Sequence, residues 1–203
     1  MVNLGCGLNA APGWVNIDRS PSLVLDRIPG AKRALHRLIG LQPGHLVTWP
    51  QGIRRLDITK GLPFERGSVR AVYSSHMLEH LYLSDAQRVL VECHRVLEVG
   101  GVLRLALPDS DALARRLVEG GSGRTFNEQL YAYPLVRPNW RGRVLSTVGA
   151  SIHHWQPTRD LVRAMLQEAG FPKATERVFR QGTLPDLLAV EHREESMFWE
   201  AST

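Results

Sequence analysis

The chain begins with two short apolar segments, each ending in a group that can meet a ligand. Val2-Asn3-Leu4 runs straight into the turn Gly5-Cys6-Gly7, and Trp14-Val15-Asn16-Ile17 ends on Asp18. A strand, a turn whose glycines leave backbone N–H groups bare, and a carboxylate at the tip of the next strand form the elements of a nucleoside pocket. The carboxylate can accept both hydroxyls of a ribose at once. A dinucleotide is a poor match, because G-x-G-x-x-G should open a full helix with its acid about 20 residues further on. Here the third glycine is missing, and Leu8-Asn9-Ala10-Ala11-Pro12-Gly13 is too short and broken for that helix. A nucleoside without phosphates suits the shortened turn.

The remaining pattern alternates. A helix is expected at 26–39, a strand at 54–58 and a buried strand at 70–74. Ser84-Asp85 caps a helix with Ala86, Leu90, Cys93, Val96 and Leu97 on one face, closed by Gly100-Gly101. A strand over 102–107 stops at Pro108-Asp109, and a helix follows over 110–118. Thr158-Arg159-Asp160 caps another helix, and 174–179 and 187–191 read as the last two strands. Alternation of this kind predicts an α/β fold, a doubly wound, mostly parallel sheet with helices on both faces and ligands at the strand carboxyl ends. Residues 119–151 lack a clear period and read as an excursion that covers the site.

Polar candidates gather at those strand ends: Gly5 to Gly7, Asp18, Asp57, Ser75 to His80, and Asp109. Ser74-Ser75-His76-Met77-Leu78-Glu79-His80-Leu81 carries two imidazoles four residues apart with a carboxylate beside the second. On a helical turn His76 and His80 share a face, and either can take a hydroxyl proton near neutral pH. His153-His154-Trp155 offers a second polar wall or a metal ligand. Asp109 is placed to join His80 on a divalent ion or to orient a sugar hydroxyl, and the residues leave the metal question open.

At 203 residues and 43% hydrophobic, the chain suits one globular domain over 1–203, with no polar linker dividing it. No apolar run reaches the roughly 18 residues of a membrane span and no signal peptide is visible, so a cytoplasmic protein is expected. The two cysteines, Cys6 and Cys93, have no metal spacing and read as free thiols. The net charge of +5 comes from scattered arginines rather than one run, which reads as a solvated basic surface rather than a nucleic-acid footprint.

Taken in order, Val2 to Gly7, Trp14 to Asp18, Leu56-Asp57-Ile58, Leu62-Pro63-Phe64, Ser75 to Leu81 and Arg95 to Gly101 resemble the class I S-adenosylmethionine-dependent methyltransferases of the type 11 group. His153 to Phe171 resembles a later segment of the same family. The resemblance implies a seven-stranded Rossmann-like methyltransferase sheet, here shortened at the N-terminus, with substrate-covering insertions at 23–52 and 119–151. It implies S-adenosylmethionine as cofactor and S-adenosylhomocysteine as product. Gly5, Cys6 and Gly7 would meet the methionine part, Asp18 the ribose, and Asp57 with Ile58 the adenine. Ser75 and His76 would lie where cofactor meets acceptor.

Related sugar O-methyltransferases carry a histidine base in the place of His80. That makes His80 the expected base, with His76 or Glu79 holding its tautomer. Size and histidine motifs resemble the O-methyltransferases of methylmannose polysaccharide assembly. The expected partner is a small saccharide, stacked on Trp140 or Trp155 and gripped by Asp109, Tyr133, Arg137, His153 and His154. The rival readings are an RNA methyltransferase and a non-catalytic cofactor-binding module. Assembly as a homodimer is left open.

Overall fold

The computed structural model describes residues 1–39, 47–131 and 152–203. The described strands form one seven-stranded sheet. In chain order they are β1 (Val2–Leu4), β2 (Val15–Asp18), β3 (Arg54–Arg55), β4 (Val69–Ser75), β5 (Leu97–Pro108), β6 (Lys173–Arg177) and β7 (Ser196–Ser202). Their spatial order is β3-β2-β1-β4-β5-β7-β6. The first five are parallel, and β7 runs antiparallel to both β5 and β6. The order reverses between β1 and β4, so the ends of β1, β2 and β4 open on the crevice where an open α/β sheet receives its ligand.

Side chains alternate across the sheet and so divide the core. Val72, Leu103, Leu105, Met197 and Trp199 face one cluster, which also holds Leu90 and Cys93 of helix α3 (Leu83–Val96) and Val162, Met165 and Leu166 of helix α6 (Arg159–Glu168). Ala71, Tyr73, Ala106 and Phe198 face the other, against Ala11, Trp14 and Leu184, and Val190 of the one-turn helix α7 (Leu187–Val190). Helices α1 (Pro21–Asp26) and α2 (Ala31–Ile39) follow β2, while α4 (Ser110–Val118) and α5 (Gly123–Leu130) follow β5.

Several expected elements are corrected. The helix placed at 26–39 is two helices, α1 and α2, separated by a turn. The strand placed at 54–58 is only Arg54–Arg55, because Asp57 caps a 3-10 turn over Ile58–Lys60 and bends the chain away. Helix α3 starts one residue before Ser84 and ends at Val96. Gly100 and Gly101 do not close it. They lie in a bulge of β5, where Leu97 pairs with Val69 and Val102 with Ala71. A Cβ on Gly101 would stand 2.8 Å from the Glu98 carbonyl oxygen, so the bulge requires glycine there. Residues 187–191 are helix α7 running into an extended Glu191 rather than a strand, and the last strand is Ser196–Ser202. A short apolar run such as Leu187 to Val190 fits either state, and length alone does not separate them.

Candidate active site

The crevice starts at the β1 turn. Gly5 has φ +65°, and a Cβ there would lie 2.4 Å from Met77 Cγ, so the turn and the loop after β4 touch through this glycine. Gly7 has φ +54° with no described atom within 4 Å of a built Cβ, so the space beside it is open, but its N–H, expected to be bare, is taken by Asp18 Oδ2 at 2.9 Å. Cys6 between them is buried against Leu23 and Ile53, and burial pushes its thiol up to about 12. Its side chain packs, its N–H donates to the Ile17 carbonyl at 3.1 Å and its carbonyl accepts from the Asn9 N–H at 2.9 Å, so Cys6 shapes the turn.

Asp18 stands across from that turn. Its Oδ2 accepts from the Gly7 N–H at 2.9 Å and its Oδ1 from the Ser20 N–H at 2.7 Å. Asp57 lies further along the rim. The Thr59 hydroxyl donates to its Oδ1 at 2.7 Å, Arg19 pairs with its Oδ2 at 3.3 Å, and the Thr59 bonds above all hold its carboxyl below the usual range. Ile58 is buried beside it and forms the apolar floor.

The wall after β4 is not a plain helical turn. His76 takes φ +47°, its N–H donates to the Ala106 carbonyl at 2.9 Å, and a 3-10 turn covers Leu78–His80. His76 and His80 therefore meet at Glu79 rather than sharing a helix face. Glu79 is fully buried, and neither carboxylate oxygen has a hydrogen-bond partner among the described residues. Its Oε1 lies 3.4 Å from His76 Nδ1 and 4.0 Å from both His80 Nε2 and His153 Nε2. Of the other nitrogens, His76 Nε2 meets the Ser196 hydroxyl at 2.8 Å and His80 Nδ1 the Ile152 carbonyl at 3.0 Å, while His153 Nδ1 is buried with no hydrogen-bond partner among the described residues. A carbonyl only accepts, so Nδ1 of His80 carries the proton and Nε2 keeps a basic lone pair. The partner of His80 Nδ1 is thus the Ile152 carbonyl rather than Glu79, which stands 4.0 Å from Nε2.

His153 is packed edge-on to His80, with ring centroids 4.9 Å apart, and burial pulls its pKa down against the opposing pull of Glu79. His154 is exposed, with its ring 4.4 Å from that of Tyr82. Trp155 corrects the expected stacking platform. It is buried in the core, and its indole N–H donates to the Leu78 carbonyl at 3.1 Å. Asp109 also departs from expectation. Both its oxygens pair with Arg159 at 2.8 Å and Oδ1 takes the Ala112 N–H, so it caps α4 at the crevice wall and does not meet His80 on an ion. Tyr133, Arg137 and Trp140 lie outside the described residues.

The crevice joins Gly5, Gly7, Asp18, Asp57, Ile58, Ser75, His76, His80, His153 and His154 along one rim. It adds Gln129, Tyr131, His192, Arg193 and Glu195, which the sequence reading passed over. The last three precede β7. Its apolar run Met197-Phe198-Trp199 bounded by polar residues is the signal that would have placed them.

A family model described as a methyltransferase domain matches residues 2–105, from β1 through most of β5. The chain belongs to the methyltransferase domain family. A methyltransferase from Archaeoglobus fulgidus described as S-adenosylmethionine-dependent superimposes with a TM-score of 0.54 at 12% identity, covering 100% of this chain and 85% of that one. A similarly described methyltransferase of Thermotoga maritima gives 0.50 at 14% identity, covering 99% and 80%. Both likenesses concern the fold. An uncharacterized 37.1 kDa protein of a Streptomyces fradiae transposon is 27% identical over 152 residues, 70% of this chain and 43% of that protein. The chain thus spans less than half the length of that relative.

The methyltransferase's cofactor is S-adenosylmethionine. The open space beside Gly7, whose N–H is already held by Asp18, offers no cradle of free N–H groups for a phosphate and fits a nucleoside carrying none. When bound, the cofactor supplies a methyl group on a sulfonium leaving group. No helix among the described residues is long and apolar enough to cross a membrane.

Proposed function

We propose that the chain transfers the methyl group of S-adenosylmethionine to a hydroxyl oxygen of a small saccharide, a mannoside being the first acceptor to try. In this reading the Gly5–Gly7 turn, Asp18 and Asp57 with Ile58 hold the cofactor, and Ser75 and His76 line the passage to the acceptor. His80 Nε2 takes the hydroxyl proton as oxygen, methyl carbon and sulfur align. Holding them in line at about 3 Å approach accounts for most of the rate gain.

One observation carries the reading: the Ile152 carbonyl locks His80 with its Nε2 lone pair free, and the buried Glu79 carboxylate 4.0 Å away favours the imidazolium that forms. Gln129, Tyr131, His154, Arg193 and Glu195 give the crevice the hydrogen-bonding groups that a polyol needs.

Intact-mass screening of glycans and nucleic acids with labelled cofactor tests the acceptor class, a methylated saccharide being the expected product. Methylation of RNA alone would overturn it. For the base, His80→Ala should keep its affinity for S-adenosylhomocysteine while single-turnover transfer falls by about 100-fold or more. Unchanged transfer would remove His80 from the role.

A further inference from the structure

Glu79 poses an electrostatic problem that the methyl-transfer reading does not use up. A fully buried carboxylate with neither oxygen hydrogen-bonded among the described residues, and with His76 Nδ1 at 3.4 Å as its nearest basic neighbour, is costly unless a cation sits beside it. Among the described residues, the basic groups beside it are imidazole nitrogens, those of His76, His80 and His153. His80 Nε2 and His153 Nε2 are each 4.0 Å from Glu79 Oε1, and one donor atom from each of the three residues lies within 4.8 Å of the others.

The arrangement is built from two distant segments tied together by three hydrogen bonds. His80 Nδ1 donates to the Ile152 carbonyl at 3.0 Å, the His154 N–H to the Glu79 carbonyl at 2.8 Å, and the Trp155 indole to the Leu78 carbonyl at 3.1 Å. An imidazole whose Nδ1–H is fixed on a backbone carbonyl while Nε2 points inward is oriented as metal-bound histidines are.

We propose that Glu79 Oε1, His80 Nε2 and His153 Nε2 form a binding site for one zinc-class divalent ion, and that its occupancy takes the His80 lone pair away from methyl transfer. Two imidazoles and a carboxylate suit Zn2+ or Co2+. Mg2+ favours oxygen ligands throughout. Donors around a tetrahedral zinc stand about 3.4 Å apart, so side-chain rotations of well under 1 Å each close the site. Metal and transferable proton then compete for one nitrogen, and the ion holds the enzyme inactive. The binding stands by itself, whereas the inhibition rests on His80 being the base.

The test uses the full chain stripped with chelator and titrated with Zn2+ by calorimetry and with Co2+ by visible absorption. The expected result is one ion per chain, with Co2+ d–d bands and no thiolate charge-transfer band. Glu79→Gln and His153→Ala should each weaken binding by about 100-fold while keeping the S-adenosylhomocysteine affinity of the parent, and Glu79→Gln should melt no lower than the stripped parent. Should Glu79→Gln fail to fold, His153→Gln and His153→Ala carry the test alone. No stoichiometric ion, or equal affinity in parent and variants, overturns the site. Loss of transfer on adding one equivalent of zinc, restored by chelator, supports the competition. Tight binding that raises transfer leaves the site standing and overturns His80 as the free base.

Discussion

The Gly7 amide donates to Asp18 Oδ2 at 2.9 Å, so the acid ending β2 is tied to the turn after β1 before any ligand arrives. The same carboxylate takes the Ser20 N–H on its other oxygen. Asp18 thus shapes the turn after β1, in addition to the ribose-binding role proposed for it.

Replacing Asp18 by Asn should therefore be no gentler than replacing it by Ala. The amide offers one acceptor where two backbone N–H groups need one each, and its NH2 would face a donor. Both variants should lose at least about 10-fold in affinity for S-adenosylhomocysteine, with a fall in stability of about 1 kcal/mol from the lost hydrogen bonds. Calorimetric titration beside thermal melts reads both, and near-parent affinity in D18N would show that the ribose does not use this acid.

Gly5→Ala should be far more damaging than Gly7→Ala. At Gly5 a Cβ meets Met77 Cγ at 2.4 Å and Cβ at 2.6 Å on a backbone already at positive φ, whereas at Gly7 the space is open. The first should cost about 2 kcal/mol or more from strain and displaced packing, and the second about 1 kcal/mol from φ alone. Gly5→Ala combined with Met77→Ala should recover part of the difference in urea melts.

The contrast between these glycines shows which parts of the site the sequence exposes. Gly5, Gly7 and Asp18 are legible because short-range turn chemistry puts them there, and local signals are what a single sequence carries. Glu79 facing His153 is not legible, since the two meet only through the hydrogen bonds between the 78–80 turn and residues 152–155. Asp109 looked free for a substrate until Arg159, far along the chain, took both oxygens. Strand β7 was missed because Glu200 interrupts its apolar run. That carboxylate is buried, accepting from the Thr183 and Leu184 N–H groups. Buried charges satisfied at long range hide a strand in the sequence and lock it in the fold.

Acid should release a clamp beside the Asp57 end of the crevice. Arg95 grips Glu92 at 2.7 and 2.8 Å and reaches the Leu62 and Phe64 carbonyls, while Glu92 takes the Leu62 N–H at 2.9 Å. The Arg95 hydrogen bonds bring the Glu92 carboxyl down from 4.5 to about 2. A depressed folded-state pKa means that the stabilisation is fully present above the unfolded value and fades as pH falls from about 4.5 toward 2. Glu92→Gln should be less stable than the parent by about 2 kcal/mol at neutral pH. Urea melts from pH 7 to 2.5 should show that gap closing in the same window, and a constant gap would refute the clamp.

Arg104 should be the most sensitive charged position away from the crevice. It lies fully buried in β5, donating through Nε to Glu191 at 2.6 Å and through its two terminal nitrogens to the Gln181 and Val178 carbonyls. Removing one member of such a pair strands the other charge, so Arg104→Met should cost about 3–5 kcal/mol. Arg104→Met with Glu191→Gln removes the stranded charge and should recover part of that loss, a non-additivity readable in urea melts. The consequence reaches the site through chain order. Glu191 leads directly into His192, Arg193 and Glu195 of the crevice wall and Ser196, which holds His76. Loosening Glu191 should therefore raise KM for the acceptor while S-adenosylhomocysteine affinity stays near that of the parent, because Gly5 to Gly7 and Asp18 hang on β1 and β2 at the far side of the rim.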